Sequence, residues 1–148
     1  MSATAYMRRC LDLAEIAARA GDTAVGALIV RGGEVVAEGV ERTRATLDPS
    51  AHAEVDAIRQ ACRRLETLDL RGCSLYSTVE PCVLCGYAIR RTGIAQVVYG
   101  VPAGQAGACT SSYAILADRD LEGWPQVPEV TGGVLADECL AALRKTKK

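Results

Sequence analysis

Apolar positions recur along the chain in two rhythms, and the changes of rhythm mark out its elements. Met7, Cys10, Leu11, Ala14 and Ala17 share one face of a helix over 6–20, which Gly21 stops. Two apolar runs, Ala27-Leu28-Ile29-Val30 and Val35-Val36-Ala37, then flank Arg31-Gly32-Gly33-Glu34, a pattern that predicts a hairpin. Asp48-Pro49-Ser50 is a turn and capping cluster, and Val55, Ile58, Ala61, Cys62 and Leu65 repeat at helical spacing after it, so a helix is expected from His52. Ser74-Leu75-Tyr76-Ser77-Thr78 reads as a strand. Pro81 has the fixed backbone angle that suits a first helical position, which predicts a helix from Cys82 to Thr92 with Gly93 as its stop. The remaining pattern predicts a strand over 96–99, a short helix over 112–116, a strand over 129–131 and a last helix from Leu135.

Strands alternating with helices in the second half imply parallel pairing, and hence an α/β fold with helices layered on both faces of a sheet. The chain of 148 residues shows no repeat, low-complexity tract or linker, so 1–148 is expected to form a single domain. A domain of that length buries roughly two thirds of the surface its unfolded form exposes. No apolar run approaches a membrane span, and residues 1–9 lack the apolar core of a signal peptide. Seven cysteines, two of them required as thiolates by the chemistry below, fit a cytoplasmic protein better than a secreted disulfide framework.

That chemistry resides in two short segments, His52-Ala53-Glu54 and Pro81-Cys82-Val83-Leu84-Cys85. Cys82 and Cys85 stand at i and i+3 and share one helical face. Both lie at the positive end of the helix dipole, which favours the thiolate form. With His52 they supply three zinc ligands, and three ligands leave a fourth position for water where a structural site is normally closed by four. Two thiolates and a neutral imidazole bring the ion close to neutrality, so a bound hydroxide is tolerable. In favourable sites the pKa of bound water falls from about 15.7 to about 7, on the order of 12 kcal/mol. Glu54, two residues beyond His52, can take that proton and return it to a leaving amine. A thioredoxin-like redox pair is the competing reading of Cys82 and Cys85, but it leaves the sole histidine and its Glu54 unexplained. No second paired spacing exists to close a structural zinc with Cys62, Cys73 or Cys109; these, with Cys10 and Cys139, read as small buried apolar residues.

The order H-x-E then P-C-x-x-C is the signature of zinc nucleobase deaminases, and the chain resembles the cytidine deaminase-like superfamily. The similarity is to the branch of tRNA adenosine deaminases, bacterial guanine deaminases and fungal-type cytosine deaminases. It is carried by Ala24-Val25-Gly26-Ala27, by the run from Asp48 to Glu54, by the run from Ser77 to Cys85, by Val97-Val98-Tyr99-Gly100 and by the run from Gly133 to Cys139. The resemblance implies a three-layer α/β/α sandwich around a mixed sheet of about five strands. It also implies zinc-dependent hydrolytic removal of an exocyclic amine as ammonia. The base would lie over the zinc water, contacted near Gly26 and Ala27, by the turn at Glu80 and Pro81, and by the side chain eleven residues before His52, which is Glu41. Relatives acting on adenine or guanine commonly carry Asn there. An ionised Glu only accepts hydrogen bonds, so the substrate is expected to present a donor to Glu41, or else Arg42 or Arg44 covers the carboxylate. Stacking groups are scarce, with no Phe, one Trp and five Tyr, and the resemblance points to Tyr113 and Trp124 as the pocket cap. It further implies a homodimer, and the helix from Cys82, with Tyr87, Ile89 and Ile94 nearby, is the candidate contact.

Substrate size is read from charge. The net charge is −1, whereas phosphate contacts supply much of the affinity of nucleic-acid binders. The tail Arg144-Lys145-Thr146-Lys147-Lys148 is basic, but the Arg-Asp pair common in tRNA editors is replaced by Val101-Pro102. A free nucleobase or small aminoheterocycle is therefore expected ahead of tRNA adenosine. A catalytically silent zinc subunit is the third reading, and the presence of Glu54 argues against it.

Overall fold

A computed structural model describes residues 1–124 and 126–145. Its elements are α1 (Ala3–Arg19), β1 (Gly26–Arg31), β2 (Glu34–Val40), α2 (Thr43–Thr46), α3 (Ala53–Leu65), β3 (Cys73–Val79), α4 (Val83–Thr92), β4 (Gln96–Val101), β5 (Glu129–Thr131) and α5 (Ala136–Arg144). The strands form one mixed sheet in the order β2-β1-β3-β4-β5. β1 pairs antiparallel with β2 and β3, and the later pairs β3·β4 and β4·β5 are parallel, as the strand-helix alternation implies.

The period of two along the strands decides which helix covers which face. Ala27, Ile29, Leu75 and Val97 point to one side, where they pack with Ala53, Ala57, Ile58 and Ala61 of α3 and Ile89 of α4. Leu28, Val30, Tyr76 and Val98 point to the other and meet Tyr6, Met7 and Cys10 of α1 and Cys139 of α5. The hairpin between β1 and β2 turns through Gly32 and Gly33, with φ of +59° and +79°. Positive φ at both central residues is the type I′ geometry, whose twist matches that of the right-twisted flanking strands.

Close packing of α3 on the sheet depends on Gly39 in β2. A Cβ there would sit 2.1 Å from the carbonyl oxygen of Ala53 and 2.6 Å from the amide nitrogen of Ala57, both backbone atoms. Gly39→Ala must therefore push the start of α3 off the sheet, and overpacking of this kind costs about 1–3 kcal/mol. We expect a loss of that size in urea denaturation; an unchanged midpoint would show that α3 does not bear on β2.

Several boundaries differ from the sequence reading. The first helix begins at Ala3, where the Ser2 hydroxyl accepts the Ala5 amide at 3.2 Å. Pro81 precedes the N-cap, which is Cys82, and the helix proper starts at Val83. No helix forms over 112–116, because backbone groups around it are engaged elsewhere: Ala108 donates to Pro81, Leu116 donates to Ala108, and the Cys109 and Thr110 amides donate to Glu80. A single 3₁₀ turn, Gly104–Ala106, occurs in that loop instead. The short α2 was not anticipated; its first amides, Arg44 and Ala45, donate to the buried Asp22 carboxylate at 2.9 Å each. Of the basic tail, 146–148 lie outside the described residues. Among the described residues no helix is long and apolar enough to cross a membrane.

Candidate active site

Two helix starts meet on the α3/α4 face of the sheet. His52 is the N-cap of α3 and Cys82 the N-cap of α4, both in extended backbone conformation, and neither spends its side chain on capping. Cys85 follows one turn into α4 and is fully buried. The Sγ of Cys82 lies 3.4 Å from His52 Nδ1, that of Cys85 lies 3.5 Å from it, and the two sulfurs are 3.7 Å apart.

These edges can be compared with a tetrahedral zinc site. Zn–S bonds of about 2.3 Å and Zn–N bonds of about 2.0–2.1 Å at tetrahedral angles give S···S near 3.8 Å and S···N near 3.6 Å. The donor set and the triangle both fit. Among the described residues no fourth His, Cys, Asp or Glu joins the group. The same contacts set the charges of the three side chains. Hydrogen bonding to Cys85 and His52, working against burial, holds Cys82 down to about 4. Contact with Cys82 pushes His52 up to about 9. Cys85 is raised, by its contact with Cys82 and by burial. The helix end is expected to lower both thiols; only Cys82 is lowered, chiefly through its hydrogen bonds with Cys85 and His52.

Glu54, in the first turn of α3, is 4% exposed. Burial pushes its carboxyl up to about 8, its own backbone amide opposes the rise, and the charges of Glu41 and Cys82 add to it. Glu41 is also buried at 9% exposure, and its carboxylate accepts the Ala53 amide at 3.0 Å and the Thr43 hydroxyl at 3.2 Å. Arg42 does not cover it but lies 3.9 Å from Asp56.

The other residues singled out from the sequence fall in different places. Ala27 is buried under α3, in the cluster that includes Ala53 and Ala57. Gly26 has its missing side chain toward α1, since a Cβ there would lie 2.2 Å from the Cys10 carbonyl oxygen, and its amide is turned to the Thr78 hydroxyl at 3.3 Å. Glu80 is spent on the protein: its carboxylate accepts the amides of Ala103, Cys109 and Thr110 and the Thr110 hydroxyl, at 2.7–3.1 Å. Burial raises the Glu80 carboxyl, but these hydrogen bonds together hold it below the ordinary range. The Pro81 carbonyl takes the Ala108 amide, and Cys82 bridges to Gly107, so the loop after β4 is laced to the start of α4. Tyr113 is 65% exposed in that loop, lining a surface depression with Val83. Trp124 packs edge-on against Tyr87, ring centroids 5.3 Å apart, on the outer side of α4. Ile89 and Ile94 are core residues rather than a subunit surface, and Val83, Leu84 and Tyr87 are the exposed apolar side chains of α4.

Two contributors had no signal in the spacing. Arg90 is buried and donates to the carbonyls of Ile115, Asp118 and Trp124, fastening the 115–124 segment to α4. Thr43 lies within hydrogen-bonding distance of both Glu41 and Asp22, linking two buried carboxylates.

A family model for the zinc-binding region of cytidine and deoxycytidylate deaminases matches residues 1–101. The tRNA-specific adenosine deaminase of Aquifex aeolicus is 35% identical over 142 residues, covering 94% of each chain. A solved structure from studies of A-to-I editing by tRNA:A34 deaminases has a TM-score of 0.88 at 33% identity, covering 95% of this chain and 99% of the other. The guanine deaminase from Nitrosomonas europaea gives a TM-score of 0.78 at 27% identity, covering 97% and 83%.

Proposed function

The chain belongs to the cytidine and deoxycytidylate deaminase zinc-binding family, and from that membership we propose that it hydrolyses the exocyclic amine of adenosine in tRNA, giving inosine and ammonia. The observation that carries this reading is the agreement with tRNA adenosine deaminases in sequence and in fold over nearly the whole length of both chains. His52, Cys82 and Cys85 would hold the zinc. When bound, zinc supplies the Lewis acidity that makes water nucleophilic near neutral pH. Glu54 takes a proton from the attacking water onto its carboxylate and delivers it toward the amine nitrogen, so that the C–N bond breaks with ammonia as leaving group. Its burial beside the ligand triangle keeps bulk water from competing for that proton.

A free nucleobase or related aminoheterocycle is the second reading. The observation favouring it is the net charge of −1 together with Val101-Pro102 in place of an Arg-Asp pair, which removes an arginine that could meet phosphate. In either case the unpaired cysteines suit a reducing, cytoplasmic setting, and Val83, Leu84 and Tyr87 would meet their counterparts in a homodimer.

The test is to incubate the zinc-loaded protein with tRNA transcripts carrying adenosine in the anticodon loop and, separately, with adenine, guanine and cytosine. Inosine in digested tRNA, with no ammonia from the bases, is the expected result. Ammonia from a free base alone would replace the first reading by the second, and no product from any substrate would leave a silent zinc subunit. The same preparation should elute at about twice the chain mass of 15.6 kDa.

A further inference from the structure

The first amides of a helix have no acceptor within it and are ordinarily satisfied by the side chain of the N-cap residue. At the start of α3 that solution is closed. The N-cap is His52, whose ring is turned to Cys82 and Cys85 and makes no capping bond. The acceptor comes instead from twelve residues earlier in the chain: the Ala53 amide donates to Glu41 Oε1 at 3.0 Å. Ala53 is the residue between the ligand His52 and the proton carrier Glu54, so this one bond bears on both.

Glu41 is itself held from several sides. Its amide donates to the Val25 carbonyl at 3.2 Å, and the next residue, Arg42, donates to the Ala51 carbonyl at 3.0 Å, which draws the loop before α3 back onto the end of β2. Its second oxygen accepts the Thr43 hydroxyl at 3.2 Å, and that hydroxyl lies 3.3 Å from Asp22 Oδ1. Asp22 in turn fixes α2 through the Arg44 and Ala45 amides. A chain of polar contacts thus runs from Asp22 through Thr43 and Glu41 to Ala53, all at buried or part-buried positions. Negative charge at a helix start also suits the helix dipole.

We propose that Glu41 is a positioning residue: its carboxylate caps α3 at Ala53 and so sets the separation of His52 from Glu54. One oxygen is spent on the Ala53 amide and the other lies beside the Thr43 hydroxyl that it shares with Asp22, which distinguishes this role from the substrate-facing one that the loop position suggests. The activity arm of the test rests on the deaminase reading; the structural arm does not.

The experiment compares the full-length zinc-loaded protein with Glu41→Ala and Glu41→Gln. Hydrogen exchange of the Ala53 amide reads the bond directly, and kcat and KM on the substrate found above read its consequence. In Glu41→Ala we expect Ala53 to exchange about tenfold faster or more, as a lost cap allows. We also expect kcat to fall about 10–100-fold, with KM changed less than about threefold, as a small misplacement of a reacting group does. Glutamine keeps a carbonyl that can accept from Ala53, so Glu41→Gln should restore protection and most of kcat with no change in ring preference. Unchanged Ala53 exchange in Glu41→Ala would overturn the proposal. A Glu41→Gln protein with altered ring preference would also overturn it, and that arm holds even if the alanine variant fails to fold. Should the wild type turn over no substrate, faster Ala53 exchange in Glu41→Ala still supports the cap while the deaminase reading falls.

Discussion

Glu54→Gln is expected to give a folded protein that binds zinc as the wild type does and turns substrate over about 10²–10⁴-fold more slowly, the range a positioned general acid/base contributes. Glutamine has nearly the same shape, so the packing of the first turn of α3 against the sheet is kept. What is lost is the ability to accept the proton of water and pass it on. The side chain is only 4% exposed, so bulk solvent does not substitute for it readily. Burial already pushes this carboxyl up to about 8, so exchanging it for a neutral amide removes little buried charge near neutral pH, and the melting temperature should change little. The measurements are ammonia release under single-turnover conditions, zinc content by atomic absorption, and thermal melting. A variant retaining more than about a tenth of the wild-type rate would mean that another group carries the proton.

The first strands were legible as short continuous apolar runs on either side of a glycine turn. Ala27 and Ile29 against Leu28 and Val30 is a period of two, and both sets are buried because helices cover both sides. The helix-strand alternation after residue 72 then implied the parallel pairs. The loop after β4 could not be read in this way. Its conformation depends on amides that donate to Glu80, 23–30 residues earlier, and no local pattern reports a partner so distant.

The site was legible to a similar depth. His52, Glu54, Cys82 and Cys85 are each close to a helix start, and helix starts have local signals: the Asp48-Pro49-Ser50 cluster and Pro81. Glu41 could be found by counting back from His52, but its partners could not, because they depend on how the loop over 42–51 returns to β2. Ile89 lies four residues after the inward-facing ligand Cys85 and therefore on the same face of α4, so the sequence itself sends it to the core and leaves Tyr87 outside.

Removal of zinc is expected to abolish turnover, to lower the melting temperature by about 8–16 °C, and to leave the secondary structure in place. The size follows from linkage. A ligand at a thousand times its dissociation constant stabilises the folded state by about 4 kcal/mol, and a chain of this length shifts by about 2–4 °C per kcal/mol. Persistence of the fold follows from where the ligands sit. The two apolar clusters on the sheet draw on all the long helices, on strands β1 to β4 and on loop residues such as Leu70 and Leu116, whereas His52 and Cys82 are N-caps beside one of them. A zinc finger collapses without its metal because it has no such core. The check is far-ultraviolet circular dichroism and thermal melting before and after dialysis against a chelator, repeated on Cys85→Ser. A metal-free protein that is unfolded at room temperature would make the ion a structural centre. An unchanged melting temperature would mean that the triangle of His52, Cys82 and Cys85 binds zinc weakly or not at all, and the hydrolytic reading would fall with it.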